Sequence, residues 1–167
     1  MKLLGAGLIW TSLIYAGAVY FIKLKKRIVL LERTVLMIQE MRMQLEYLNL
    51  PVNELVNKIK SKGHLSELVF LYDCSELIEE GLDYPAAWKK SLENTVLYYT
   101  MTEKDKLLHL GLNLGTSNTE NQINMLDMYS IYFNEYLSKA KVKEQKYASL
   151  TMTLAVLSGS IIFILII

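Results

Sequence analysis

Residues 3–22 read LLGAGLIWTSLIYAGAVYFI, and residues 148–167 read ASLTMTLAVLSGSIIFILII. Each run is 20 residues long and contains no Asp, Glu, Lys or Arg. A hydrocarbon layer about 30 Å thick takes about 20 helical residues at about 1.5 Å each. Inside lipid the backbone must satisfy its own polar groups, so each run is expected as a membrane-spanning helix. All 17 acidic residues and 17 of the 18 basic residues lie between the runs, and the remaining one, Lys2, precedes the first. The expected organisation is therefore a transmembrane helix over residues 1–22, a folded body over 23–147 and a second transmembrane helix over 148–167.

The flanks of the runs set an orientation. Lys23, Lys25, Lys26 and Arg27 follow the first run, and Lys139, Lys141, Lys143 and Lys146 lead into the second. Positive charge beside a span keeps its side in the cytoplasm. The body is thus expected in the cytoplasm, with both termini across the membrane. Lys2, the apolar stretch and Ala16-Gly17-Ala18 also fit a cleaved signal peptide. The basic cluster directly after the run favours a retained anchor. Trp10, Tyr15 and Tyr20 suit an interfacial or helix-packing role. Ser12 with Ala16, and Ala155 with Gly159, have the spacing that lets helices approach closely, which is compatible with a homo-oligomer.

Composition narrows the function classes. A single Cys excludes a disulfide framework within the chain. A net charge of +1 gives no support to nucleic-acid binding.

The body reads as helical throughout. Leu24, Ile28, Leu31, Val35, Ile38, Met41, Leu45 and Leu48 recur at spacings of three and four, a packing seam on a first helix that ends near Asn49. Pro51 suits the start of a second helix, which stops at Lys62-Gly63. A third, running to Gly81, is expected either to be capped by Ser66 or to begin a residue or two earlier. Pro85 opens a fourth, expected over residues 85–100. Thr102 is the expected cap of a fifth that stops at Gly115. Ser117 with Glu120 matches a capping box for a sixth, with Ile123, Leu126, Tyr129, Phe133 and Leu137 at helical spacing. No Pro or Gly interrupts residues 116–158, so this helix is expected to continue into the second run. The short connections favour antiparallel neighbours. The expected fold is all-α: an antiparallel six-helix cytoplasmic bundle flanked by the two transmembrane helices.

The same residues offer little chemistry. His64 and His109 are isolated and lack metal-ligand spacing. Cys74 has no CxxC partner and reads as a small buried residue. No phosphate-binding glycine loop and no GxSxG nucleophile elbow occur. The stripe Tyr129, Tyr132, Tyr136 reads as packing. No catalytic, cofactor-binding or metal-binding residues are expected, and no cofactor.

Where the fifth helix meets the sixth, Asp105, Leu108, Leu110, Gly111, Leu114, Gly115, Ser117 and Gln122 resemble the pattern of the stage III sporulation protein AB family. Asn118 stands where that pattern has Asp. Glu46-Tyr47, Pro51, the Leu-Ser-Glu-Leu stretch, Ala87-Trp88 and the final apolar run extend the resemblance over essentially the whole chain. The family is similar to the cytoplasmic domain of inner-membrane platform proteins of type II secretion and type IV pilus machines. The resemblance implies a sporulation-specific, secretion-like complex joining mother cell and forespore, with this protein in the mother-cell membrane around the forespore. It also implies a secretion-type ATPase, stage III sporulation protein AA, and other membrane subunits as partners. The expected function is a non-enzymatic platform that couples the ATPase to the membrane components. Two alternatives are a channel or transporter subunit, and a membrane-surface enzyme built on Asp105, His109 and a Tyr.

Overall fold

The structure, a computed structural model, describes the backbone of residues 2–48, 50–94 and 98–166, with the side chains of all of these except 2–14, 16 and 151–166. Among the described residues the chain is all-α, with six α-helices and no strand. They are α1 (Lys2–Leu48), α2 (Val52–Lys60), α3 (Val69–Glu79), α4 (Tyr84–Asn94), α5 (Met101–Asn113) and α6 (Thr119–Ile166), with one 3-10 turn at Gly63–Leu65.

The long helices α1 and α6 pair antiparallel. Tyr20 meets Tyr147 with ring centroids 5.0 Å apart, Lys141 meets Glu32 at 2.7 Å, and Arg42 meets Asp127 at 2.7 Å. Residue numbers thus rise along one helix as they fall along the other. Leu24, Ile28, Leu31, Val35, Ile38, Met41 and Leu45 are buried along α1, and Leu126, Tyr129, Phe133 and Ala140 along α6. A second buried line on α1, Leu30, Thr34 and Met37, lies beside the first, so that the helix is covered over about half its circumference. The short helices α2 to α5 contribute Leu55, Val56, Ile59, Phe70, Leu71, Trp88, Leu92, Leu107 and Leu110 to the same core. Leu48, expected on the seam, is half exposed on the last turn of α1, and Leu50 and Val52 pack against the core just beyond it.

Several helix ends differ from expectation. The third helix begins at Val69 and is not capped by Ser66. Leu65 and Leu68 are both fully buried, and their burial fixes a tight turn through Ser66. The helix closes at Gly81 (φ 98), where Leu82 N–H donates to the Leu77 carbonyl and Gly81 N–H to that of Ile78. This six-to-one and five-to-two pairing satisfies the last carbonyls of the helix. The fourth helix is described over Tyr84–Asn94, and residues 98–100, expected within it, are non-helical because Tyr99 is held against α1. The fifth is capped by Thr100 instead of Thr102, with Glu103 completing a capping box. The sixth is capped by Asn118 in place of Ser117: its side-chain oxygen accepts from Asn121 N–H at 2.9 Å.

α1 and α6 pass through the expected boundaries at 22/23 and 147/148 without a break. Among the described residues no helix is long and apolar enough to cross a membrane. The two expected spans, 1–22 and 148–167, lie for the most part outside the residues whose side chains are described.

Candidate functional site

The end of the α1–α6 pair that adjoins the two apolar runs carries a collar of aromatic and basic side chains. Tyr20 and Phe21 from α1 pack on Tyr147 from α6, at centroid distances of 5.0 and 6.3 Å. The Tyr147 hydroxyl lies 3.4 Å from where a Cβ on Gly17 would stand, so the helices are close here. This pairing brings Lys23, Lys25, Lys26 and Arg27 to the level of Lys139, Lys141, Lys143 and Lys146. Lys143 crosses from α6 to lie 5.8 Å from the Tyr20 ring, while Lys25 lies 4.8 Å from the Phe21 ring. Except for Arg27, the eight basic residues are exposed. Spacing along either helix alone does not reveal the collar, since half comes from each end of the chain.

Just beyond the collar, residues 98–103 are fastened to α1. Lys26 Nζ donates to the Tyr98 hydroxyl at 3.3 Å and lies over its ring. The Thr34 hydroxyl donates to the Leu30 carbonyl at 2.8 Å and is bonded to the Tyr99 hydroxyl. Burial pushes the Tyr99 phenol well above its ordinary value. Arg27 makes a two-pronged bond to Glu103, with Nε to Oε2 at 3.1 Å and Nη2 to Oε1 at 2.5 Å. Glu103, only 1% exposed, also accepts from Thr100 N–H at 2.7 Å. One carboxylate thus caps α5 and holds its first turn to α1. The Thr100-x-x-Glu103 spacing carried this signal in the sequence; the role of Arg27 did not show there.

The residues of the α5–α6 junction form a polar and steric clamp. Gly111 lies under the Trp88 indole, where a Cβ would stand 2.1 Å from Nε1. Trp88 Nε1 donates to the Leu107 carbonyl at 3.1 Å, and its ring meets Phe70 edge-on at 5.3 Å. Gly115 has φ 82, and a Cβ there would stand 2.5 Å from Val52 Cγ2. Gln122 accepts from Gly115 N–H at 2.9 Å and donates to the Ser117 carbonyl at 2.7 Å, which ties the turn to α6. Leu114 is buried and Leu108 packs against the core. Asp105 and Ser117 are exposed.

No cluster suited to bond chemistry emerges among the described residues. Asp105 and His109 both lie exposed on α5, outside any buried constellation with a Tyr. His64 is 3.9 Å from Glu40, and among the described residues no group of His, Cys, Asp and Glu that could hold a metal ion is found. Cys74 is buried, which pushes its thiol up to about 12 and leaves it a poor nucleophile.

Short helices packed on two long, directly paired antiparallel helices, with residues 98–103 bonded to the first of them, define an all-α helical protein. The chain belongs to the Stage III sporulation protein AB family, whose family model matches residues 2–167. This is a family of sporulation proteins not known as enzymes. The chain has no significant match among curated proteins or among solved structures.

Proposed function

We propose that this protein is a non-enzymatic platform subunit of a secretion-like complex between mother cell and forespore. Residues 1–22 and 148–167 span the mother-cell membrane around the forespore, and residues 23–147 form the cytoplasmic body. The observation that carries the reading is that α1 and α6 leave the body side by side, each as an unbroken helix continuing into an apolar run. Two adjacent helices that leave in one direction can enter one bilayer without any kink. The basic collar at the point of exit supports a cytoplasmic body.

Such an arrangement suits mechanical coupling. The Arg27–Glu103 and Thr34–Tyr99 bonds fasten the α4–α5 connection to α1 close to the exit. A load placed on the body by a docked ATPase, here the sporulation protein AA, would reach the spans through two continuous helices. Other membrane subunits would receive it there.

Cysteine accessibility in intact cells that carry the chain in their plasma membrane tests the topology. In a Cys74→Ser background, single cysteines at exposed body positions such as Lys58 and Lys90 should resist a membrane-impermeant reagent. Cysteines added at either terminus should react. Reaction in the body would refute the orientation. Failure of the protein AA to co-purify with the full chain after reconstitution would refute the coupling role alone.

A further inference from the structure

The collar holds more positive charge than the protein neutralises. Arg27 is paired with Glu103, Lys141 with Glu32 and Lys139 with Glu135. Among the described residues no carboxylate is paired with Lys23, Lys25, Lys26, Lys143 or Lys146. Residues 15–31 and 136–150 contain one acid, Glu144.

Three of these five lysines are nonetheless held in place. Lys25 lies over Phe21, Lys26 over Tyr98, and Lys143 over Tyr20. A ring face fixes the direction of an ammonium group without cancelling its charge. Lysines held this way lose less freedom when an anion arrives. On the side of the collar facing the apolar runs stand exposed Tyr15, Ile22 and Leu150, at 73%, 54% and 53% exposure. An anion carried on hydrocarbon meets both layers at once, its charge at the lysines and its chains along these apolar side chains.

We propose that the collar is a binding site for anionic phospholipid, with the phosphate held by lysines from both α1 and α6 and the acyl chains lying along Ile22 and Leu150. This rests on the membrane-anchored reading above. The two helices would each supply part of the site, so that a bound lipid would bridge them.

The test uses the full chain in detergent with equimolar phosphatidylglycerol and phosphatidylcholine, with the retained lipid read by native mass spectrometry. Phosphatidylglycerol should be retained in preference. In the K23Q/K25Q/K143Q/K146Q variant that preference should fall by roughly tenfold or more, given what each lysine contributes near an anionic surface. K58Q/K90Q, on the body, should leave it unchanged. If the fourfold variant loses helical content, K23Q/K146Q replaces it, with a smaller loss expected. Equal retention of the two lipids, or an unchanged preference in the variants, would overturn the proposal. Displacement of the lipid by millimolar glycerophosphate would show a site for free phosphate esters and overturn it as well. Carbonate-resistant insertion into pure phosphatidylcholine vesicles reads anchoring alone. Insertion without lipid preference would sink this inference and spare the anchored reading; no insertion would sink both.

Discussion

The contact between Gly111 and Trp88 makes a sharp experiment, because two effects of one methyl group oppose each other. Gly111→Ala gains about 1 kcal/mol of helix propensity in the interior of α5. The new Cβ, however, would stand 2.1 to 2.3 Å from three indole atoms of Trp88. Ordinary contact between carbons begins near 3.5 Å, so the ring must move by more than 1 Å. Trp88 is fully buried and wedged against Phe70 and Tyr84, so it has little room. Overpacking of this kind costs about 1–3 kcal/mol. Displacement also strains the Nε1 bond to Leu107, and a buried donor left unpaired costs about 1–3 kcal/mol more. The net expectation is a loss of about 3 kcal/mol, read by urea unfolding of the full chain in mild detergent with near-ultraviolet circular dichroism. In a Trp88→Leu background the obstacle is gone, and the same Gly111→Ala change should be neutral or stabilising by up to about 1 kcal/mol. If the substitution fails to destabilise the natural background, or if its effect is the same in both, the packing argument is wrong.

Gly115→Ala should cost more than Gly81→Ala in the same assay. Both need positive φ, worth about 1–2 kcal/mol, but only Gly115 faces a neighbour, Val52, while Gly81 opens onto empty space. Arg27→Met should destabilise by about 3–5 kcal/mol because it leaves the Glu103 carboxylate buried without its cation; Arg27→Met with Glu103→Gln should recover a large part, measured by a double-mutant cycle. Burial raises the Cys74 thiol from its ordinary 9.0 to about 12. The unfolded chain then loses that proton first, so the group's contribution to stability is complete below about pH 9 and is lost as pH climbs toward 12. At pH 8 an aromatic disulfide reagent should leave Cys74 untouched in the folded protein and react promptly in urea.

The Arg27–Glu103 pair also relates the fold to the proposed role. Replacing such a pair with apolar residues is often neutral for stability. Its geometry fixes where the first turn of α5 sits relative to the exit of α1. A platform that transmits motion needs such fixed register more than it needs added stability.

The sequence by itself determined the helical class, the seam on α1, the long α6 and the two uncharged ends. These follow from period and length, which act along a single segment and need no partner. Glycine stops were legible for a similar reason: positive φ at Gly81 and Gly115 is a local demand on the backbone. The cap at Thr100, the non-helical residues 98–100 and the turn through Ser66 were decided by tertiary structure. At each of these places several capping residues lie within a few positions, with nearly equal intrinsic preference. Contacts from elsewhere then chose among them: Arg27 at Glu103, α1 at Tyr99, and the burial of Leu65 and Leu68 beside Ser66. The collar was decided in the same way. Its lysines were visible as two separate groups, but only the antiparallel pairing of α1 with α6 brings charges more than 110 residues apart to one level.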